Sequence, residues 1–291
     1  MRLRQVALLL VVVAGSLSGC GREQTRLTVT AHDFGFTGVG NTISGGPVEI
    51  TFKNEGKADH ELGFIDIGDT TFDEFAPIFN KFFEREGAPF PKELKRLTGA
   101  GELEPGKSRT TTITLPKGKY LMMCALDDAP GPGEKTVKPH YNLGMHQNVR
   151  VDGPDDVELD APGGVFHAQD YTFVPPSDLE AGKKTYGFVN DGPKQWHFMY
   201  VQEWPKGTTA AQAEANFKKF ISLPEDAPPP AGLPEPKDFL DTFIFSPGNG
   251  QTFEANFKSG YTYLAACFIN DLAGGPPHAI AHHMYKAWTV K

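Results

Sequence analysis

Two segments of this chain carry the same potential metal ligands in the same order. The first reads Tyr120-Leu-Met-Met-Cys124, then Pro139-His140, then Gly144-Met145. The second reads Tyr263-Leu-Ala-Ala-Cys267, then Pro277-His278, then His283-Met284. Each is preceded by a histidine that follows an asparagine: Asn54-Glu-Gly-Lys-Ala-Asp-His60 and Asn190-Asp-Gly-Pro-Lys-Gln-Trp-His197. Each half therefore owns one cysteine, two placed histidines and one methionine. A thiolate with two imidazoles and a weak thioether is a soft donor set. It suits copper in both oxidation states and discriminates against hard cations.

The duplication reaches beyond the donors. Asp33-Phe34-Gly-Phe36 matches Asp170-Tyr171-Thr-Phe173 at an offset of 137, and His60 and His197 keep that offset. A repeat of this period is domain-sized, so the chain reads as two related domains rather than a solenoid. The length of 291 residues fits two domains. We place the first domain at 27–151, an acidic Gly/Pro-bearing linker at 152–164 and the second domain at 165–291.

The elements that must hold these donors read as strands. Leu27–Ala31, Pro47–Phe52, Thr110–Leu115 and Asn148–Val151 alternate apolar and polar residues. In the second half Lys184–Val189, Thr252–Phe257 and Lys286–Val290 do the same. Thirty-two glycines and 24 prolines supply turns between them. Each half also has one helical insert. Phe72, Phe75, Phe79, Phe82 and Phe83 recur at three-to-four spacing between Thr71 and Glu86, and Ala213, Phe217, Phe220 and Ile221 do so between Thr208 and Leu223. Both stripes read as core-facing. Pro224–Pro236 reads as an irregular loop.

With these residues in view, the chain resembles the cupredoxins, the plastocyanin and azurin family of blue copper proteins, twice over nearly all of its length past the leader. The resemblance implies an all-β fold of two tandem cupredoxin-like Greek-key β-sandwiches, each with a short helical insert. It implies a type 1 copper site of His60, Cys124, His140 and Met145 in the first half. In the second half it implies His197, Cys267, His278 and Met284. The spacing departs from familiar electron carriers. Fifteen residues separate Cys124 from His140, and ten separate Cys267 from His278. Five residues, not four, separate His278 from Met284, so His283 rivals His278 as the second imidazole. His146 is a weaker rival of His140. At most one copper per domain is expected, with the first domain the better site.

The N-terminus reads as an export signal at 1–19. Met1-Arg-Leu-Arg4 is a positive start, Val6–Ala14 a short apolar run, and Leu17-Ser-Gly-Cys20 resembles a bacterial lipobox. Lipidated Cys20 and residues to Arg26 would then tether the protein to the outer face of a bacterial membrane. That accounts for one of three cysteines. Cys124 and Cys267 occupy equivalent positions in separate repeats and are not placed to pair with each other. Two unpaired thiols in an exported chain ask for a soft metal.

The net charge of −8 and the lack of any basic run argue against nucleic acid. The expected partner is a redox protein at the membrane surface. Multicopper oxidases carry His-x-His pairs and a His-Cys-His bridge, and copper nitrite reductases carry a histidine beside the cysteine. Here Met123 precedes Cys124 and Ala266 precedes Cys267. The sequence reading is therefore an electron carrier and not an enzyme, with copper storage or a metal-free binding scaffold as the competing class.

Overall fold

The structure, a computed structural model, describes residues 24–83, 87–127, 138–154, 158–224 and 235–291. The leader, Cys20, and parts of the expected linker and proline-rich loop lie outside the described residues. The first half contains β1 (Thr25–His32), β2 (Gly35–Thr37), β3 (Thr42–Ser44), β4 (Gly46–Asn54), β5 (His60–Asp66), α1 (Phe72–Phe83), β6 (Arg96–Leu103), β7 (Ser108–Leu115), β8 (Gly118–Met123) and β9 (His146–Asp152). The second contains β10 (Val165–Gln169), β11 (Thr172–Val174), β12 (Gly182–Asn190), β13 (Tyr200–Trp204), α2 (Ala210–Ile221), β14 (Lys237–Asp241), β15 (Gly250–Phe257), β16 (Thr262–Ala266), α3 (His278–Ala281) and β17 (Tyr285–Thr289). The fold is all-β with short helices, as the alternation and the turn residues imply.

In the first half two sheets face each other. Strand β4 alternates buried and half-buried positions along its nine residues, the signature of a sheet with one face on a core. Its inward Val48, Ile50 and Phe52 pack with Leu62, Phe64, Met122 and Val149 from the opposite sheet. That opposite sheet runs β3-β9-β8-β5-β6. The second half repeats the plan with a four-stranded sheet, β14-β13-β16-β17, facing the sheet that holds β10, β12 and β15. Helices α1 and α2 pack on outer sheet faces. Phe75 and Phe79 of α1 join Ile65, Leu121 and Met123, while Ala213 and Phe217 of α2 join Trp204, Leu264 and Ala287. Phe220, assigned to the buried stripe of α2, instead faces solvent. It stands in the last turn of the helix, one residue from its end.

One feature was not legible in the strand pattern. The two halves share a single eight-stranded sheet, ordered β11-β10-β12-β15-β7-β4-β1-β2. Strands β7 and β15 meet through one register pair, Ile113 with Gln251. Side chains extend that seam: the Thr111 hydroxyl donates to the Thr252 carbonyl at 2.5 Å, and the Gly250 N–H donates to the Thr114 hydroxyl at 2.8 Å. Joining the sheets pairs two edges that would otherwise stand open.

Candidate metal centres

Each first histidine sits just past a braced loop. The Asn54 side chain accepts from the Gly56 N–H at 2.9 Å and donates to the Ala58 and Leu103 carbonyls, both at 2.8 Å. Asn190 does the same with Gly192, Gln195 and Phe245. These fully used amides explain the Asn-x-Gly spacing, since a short side chain can close its own loop. Gly56 must lack a side chain. A Cβ there would lie 2.6 Å from His60 Nε2 and 2.7 Å from Asp33 Oδ1.

The second histidine and the methionine come from one tight turn. In the first half it is a single 3₁₀ turn, His140–Leu143, ended by Gly144 at φ 110°. In the second it is α3. The Met145 N–H donates to the His140 carbonyl, and the Cys124 N–H donates to the Met145 carbonyl. Met284 repeats both bonds with His278 and Cys267. This backbone mesh places cysteine, histidine and methionine of each half side by side.

The geometry of each cluster is compact. His60, Cys124 and His140 present ligand atoms within 4.8 Å of one another, and His197, Cys267 and His278 do likewise. Nδ1 of His60 and of His140 lie 3.1 Å apart, and Cys124 Sγ is 3.4 Å from His140 Nδ1. Cys267 Sγ is 3.8 Å from His197 Nδ1 and 3.6 Å from His278 Nδ1. All six residues are buried, as are Met145 and Met284. The Glu61 N–H donates to Cys124 Sγ at 3.3 Å, a contact that would stabilise sulfur carrying negative charge. Both cysteines are free thiols.

His283 does not join the second cluster, which corrects it as the rival ligand. It stands exposed at φ 54°, a left-handed position that turns the chain so that Met284 can come back to His278. His146 is also outside the first cluster; its ring stacks on Phe72 at 3.6 Å.

Residues around the donors were missed by the sequence reading. Asp271 Oδ1 lies 3.3 Å from His278 Nε2, and its Oδ2 lies 2.8 Å from His282 Nε2. The Tyr171 hydroxyl donates to Asp271 at 2.6 Å. In the first half Asp33 Oδ1 lies 3.6 Å from His60 Nε2. The charge of a carboxylate near Nε2 favours the tautomer that carries its proton there and leaves Nδ1 to accept a metal. Phe34 and Tyr171, both at φ 66°, lay their rings edge-on to His140 and His278 at 5.1 Å. Left-handed backbone at two matching bulky residues is a strained feature kept where it serves a site. The match of Asp33-Phe34 to Asp170-Tyr171 held the only sequence signal for these caps.

Burial sets the electrostatics. It pushes both thiols up to about 12. It pushes His197 down to about 3, with His278 adding to the effect, and His278 down to about 4 against the pull of Asp271. Burial also raises Glu61 to about 7. The metal-free pocket of the second half is thus neutral at pH 7. Above pH 6.5 an unfolded imidazole is also neutral, so folding costs no proton. Between that value and the folded values the unfolded chain binds more protons. The two histidines should therefore make the metal-free chain lose stability as pH falls from about 6.5 toward 4 and then 3, a loss that Glu61 opposes in part between about pH 7 and 4.5, where the folded chain binds its proton and the unfolded chain does not. Urea unfolding of metal-free protein across that range checks this, and a midpoint constant from neutral pH to pH 4 would contradict it.

The donor chemistry fits copper. Two imidazoles and one thiol converge in a buried pocket in each half, with a methionine on the adjoining turn. A hard cation would find no carboxylate among the clustered ligand atoms.

No family model matches the chain, and no curated protein matches it. Solved structures do. Reduced auracyanin from Roseiflexus castenholzii is 21% identical over 44% of this chain and 98% of its own, with TM-score 0.30. A multicopper oxidase is 14% identical over 92% of this chain and 88% of its own, with TM-score 0.24. A copper-containing nitrite reductase from Thermus scotoductus SA-01 is 13% identical over 92% of this chain and 61% of its own, with TM-score 0.22. Two of these three are enzymes, so the expectation that the chain is not an enzyme is withdrawn. The chain is similar in fold to blue copper proteins and to copper enzymes alike.

Proposed function

We propose that this is an exported, lipid-anchored copper protein that handles single electrons, with one type 1 copper site in each half. The observation that carries this reading is the convergence, twice, of a buried thiol and two buried histidines from separated segments of the chain. His60, Cys124 and His140 would hold one ion with Met145 beside them. His197, Cys267 and His278 would hold the other with Met284. Bound copper would supply a one-electron couple between Cu(II) and Cu(I). The chain's own residues do the rest. The asparagine-braced loops and the caps Phe34 and Tyr171 hold the imidazoles still and keep water out. Asp33 and Asp271 place negative charge beside two of the four rings. The rigid seam between the halves keeps both sites in one body.

Export, the anchor at Cys20 and a redox partner at the membrane surface belong to this proposal. They rest on the leader sequence; among the described residues no helix is long and apolar enough to cross a membrane. Copper storage is the second reading, and the burial of every donor favours it. The two differ in a visible spectrum. An electron-transfer site gives intense Cu(II)–thiolate absorption and a reversible potential after copper reconstitution, whereas a store holds Cu(I) with little colour. A chain that takes up no copper would refute both.

Metal binding must also displace protons. At pH 7 the Cys267 thiol is protonated, since its pKa is about 12, while His197 and His278 are already neutral. In a Cys124→Ser chain, binding at the second site should release about one proton per copper. Calorimetry in buffers of different ionisation enthalpy reads that number. Release of none would mean that Cys267 is not a ligand.

A further inference from the structure

Between the two halves lies a cavity of about 390 Å³. Six aromatic residues line it: Phe79, Phe82, Phe90, Trp196, Phe243 and Phe268. Aliphatic side chains fill most of the remaining wall, and Glu61 is the one ionisable group among the described lining residues. The Glu61 carboxylate is held in place, because one of its oxygens accepts from the Ala125 N–H at 3.0 Å.

Among the described residues none gives this carboxylate a counter-charge. Its charged neighbour is another acid, Glu102, directly opposite on the adjacent strand β6. Like charges facing across a strand pair are destabilising, and a carboxylate beside an apolar cavity loses hydration. Both costs are answered by a cation with an apolar body. Aromatic rings favour such a cation further through their negative faces. The volume falls within the range of small-molecule sites. A divalent metal ion is a poor occupant, since the lining offers one carboxylate and the Asn270 amide where such ions take about six oxygens. An uncharged aromatic molecule would fill the space and leave Glu61 unanswered.

We propose that this cavity binds a compact organic cation of the alkylammonium class, with its charge against Glu61 and its carbon body against the rings. The inference does not rest on copper. The walls nonetheless include Ala125 and Leu126, which follow Cys124, and Phe268 to Asn270, which follow Cys267. An occupant would touch the segments that carry both sulfurs.

The test compares choline with 3,3-dimethylbutan-1-ol, its uncharged carbon isostere, on the full metal-free chain. Calorimetry measures binding, and Trp196 in the cavity wall gives an independent fluorescence signal. Choline should bind at least about tenfold tighter than the isostere, a difference of about 1.4 kcal/mol. Glu61→Gln should bring that ratio to about one. Leu94→Phe, which fills part of the cavity without touching the carboxylate, should weaken both compounds, and the exposed Val174→Ser should change neither. Should Glu61→Gln fail to fold, the wild-type ratio and Leu94→Phe decide the matter. Absent choline binding, equal binding of the two compounds, or a ratio that survives in folded Glu61→Gln overturns the proposal.

Discussion

Cys124→Ser should remove one copper and its visible absorption from the chain, Cys267→Ser should remove the other, and the double variant should bind neither. The reasoning starts from softness. Thiolate is the only strong soft donor in each cluster, and the remaining imidazoles alone do not set copper apart from competing divalent ions. A serine oxygen in the same dry pocket stays protonated, because burial already holds the more acidic thiol at about 12. It would meet the metal as a neutral, hard donor. The substitution is nearly isosteric, so the fold should survive with a loss of about 1–2 kcal/mol for a buried hydroxyl, offset in part by the Glu61 N–H already aimed at that position. Metal analysis and an absorption spectrum of each variant, beside its thermal unfolding curve, separate loss of ligand from loss of fold. If a folded Cys124→Ser chain kept two coppers per molecule, the first site would lie elsewhere.

Much of this arrangement could be read from the sequence because local rules and repetition agreed. Alternation gave strands β1, β4, β7, β9, β12, β15 and β17 within a residue or two at most ends, since a half-buried strand writes its faces into every second residue. Duplication did more for the site. One histidine after an asparagine turn says little, but two matching sets in the same order pointed to the same donors, and each set comes together in space. Where one set was ambiguous, backbone geometry separated the candidates. His278 opens a helical turn whose carbonyl receives Met284, while His283 occupies the left-handed residue that reverses the chain.

What stayed hidden is what the halves do not share with each other. Asp271 braces His278 in one half, and Asp33 approaches His60 in the other. The two carboxylates reach non-equivalent imidazoles, so the repeat could not flag them. Glu61 in the first half stands where Phe198 stands in the second, each just after its histidine. The shared sheet and the cavity depend on contacts such as Thr111 with Thr252, whose residues lie 141 apart and follow no local pattern.

Phe243→Ala should be among the most destabilising single changes in the chain, because this ring joins the two halves. It follows β14 of the second half yet lies against two glycines of the first. A Cβ at Gly99 would come within 2.7 Å of the ring, and one at Gly63 within 3.0 Å. Those positions are bare so that an aromatic ring from the other half can reach the sheet surface. Phe243 is 8% exposed and its ring is edge-on to Phe245 at 6.1 Å. Cutting such a side chain back to alanine costs about 3–5 kcal/mol, a large share of the total stability of an ordinary domain. The complementary change, Gly63→Ala, should also destabilise, since its new methyl group would lie 3.0 Å from the ring, whereas a Cβ at Gly99 would first meet the Leu62 carbonyl at 2.5 Å. Guanidinium unfolding measures both. The two should not add in the double variant, because the smaller side chain at 243 makes room for the methyl group at 63, whose nearest neighbour is that ring. Full additivity, or a cost under about 1 kcal/mol for Phe243→Ala, would mean that the halves are held by the strand seam alone and that the ring merely rests on the glycine surface.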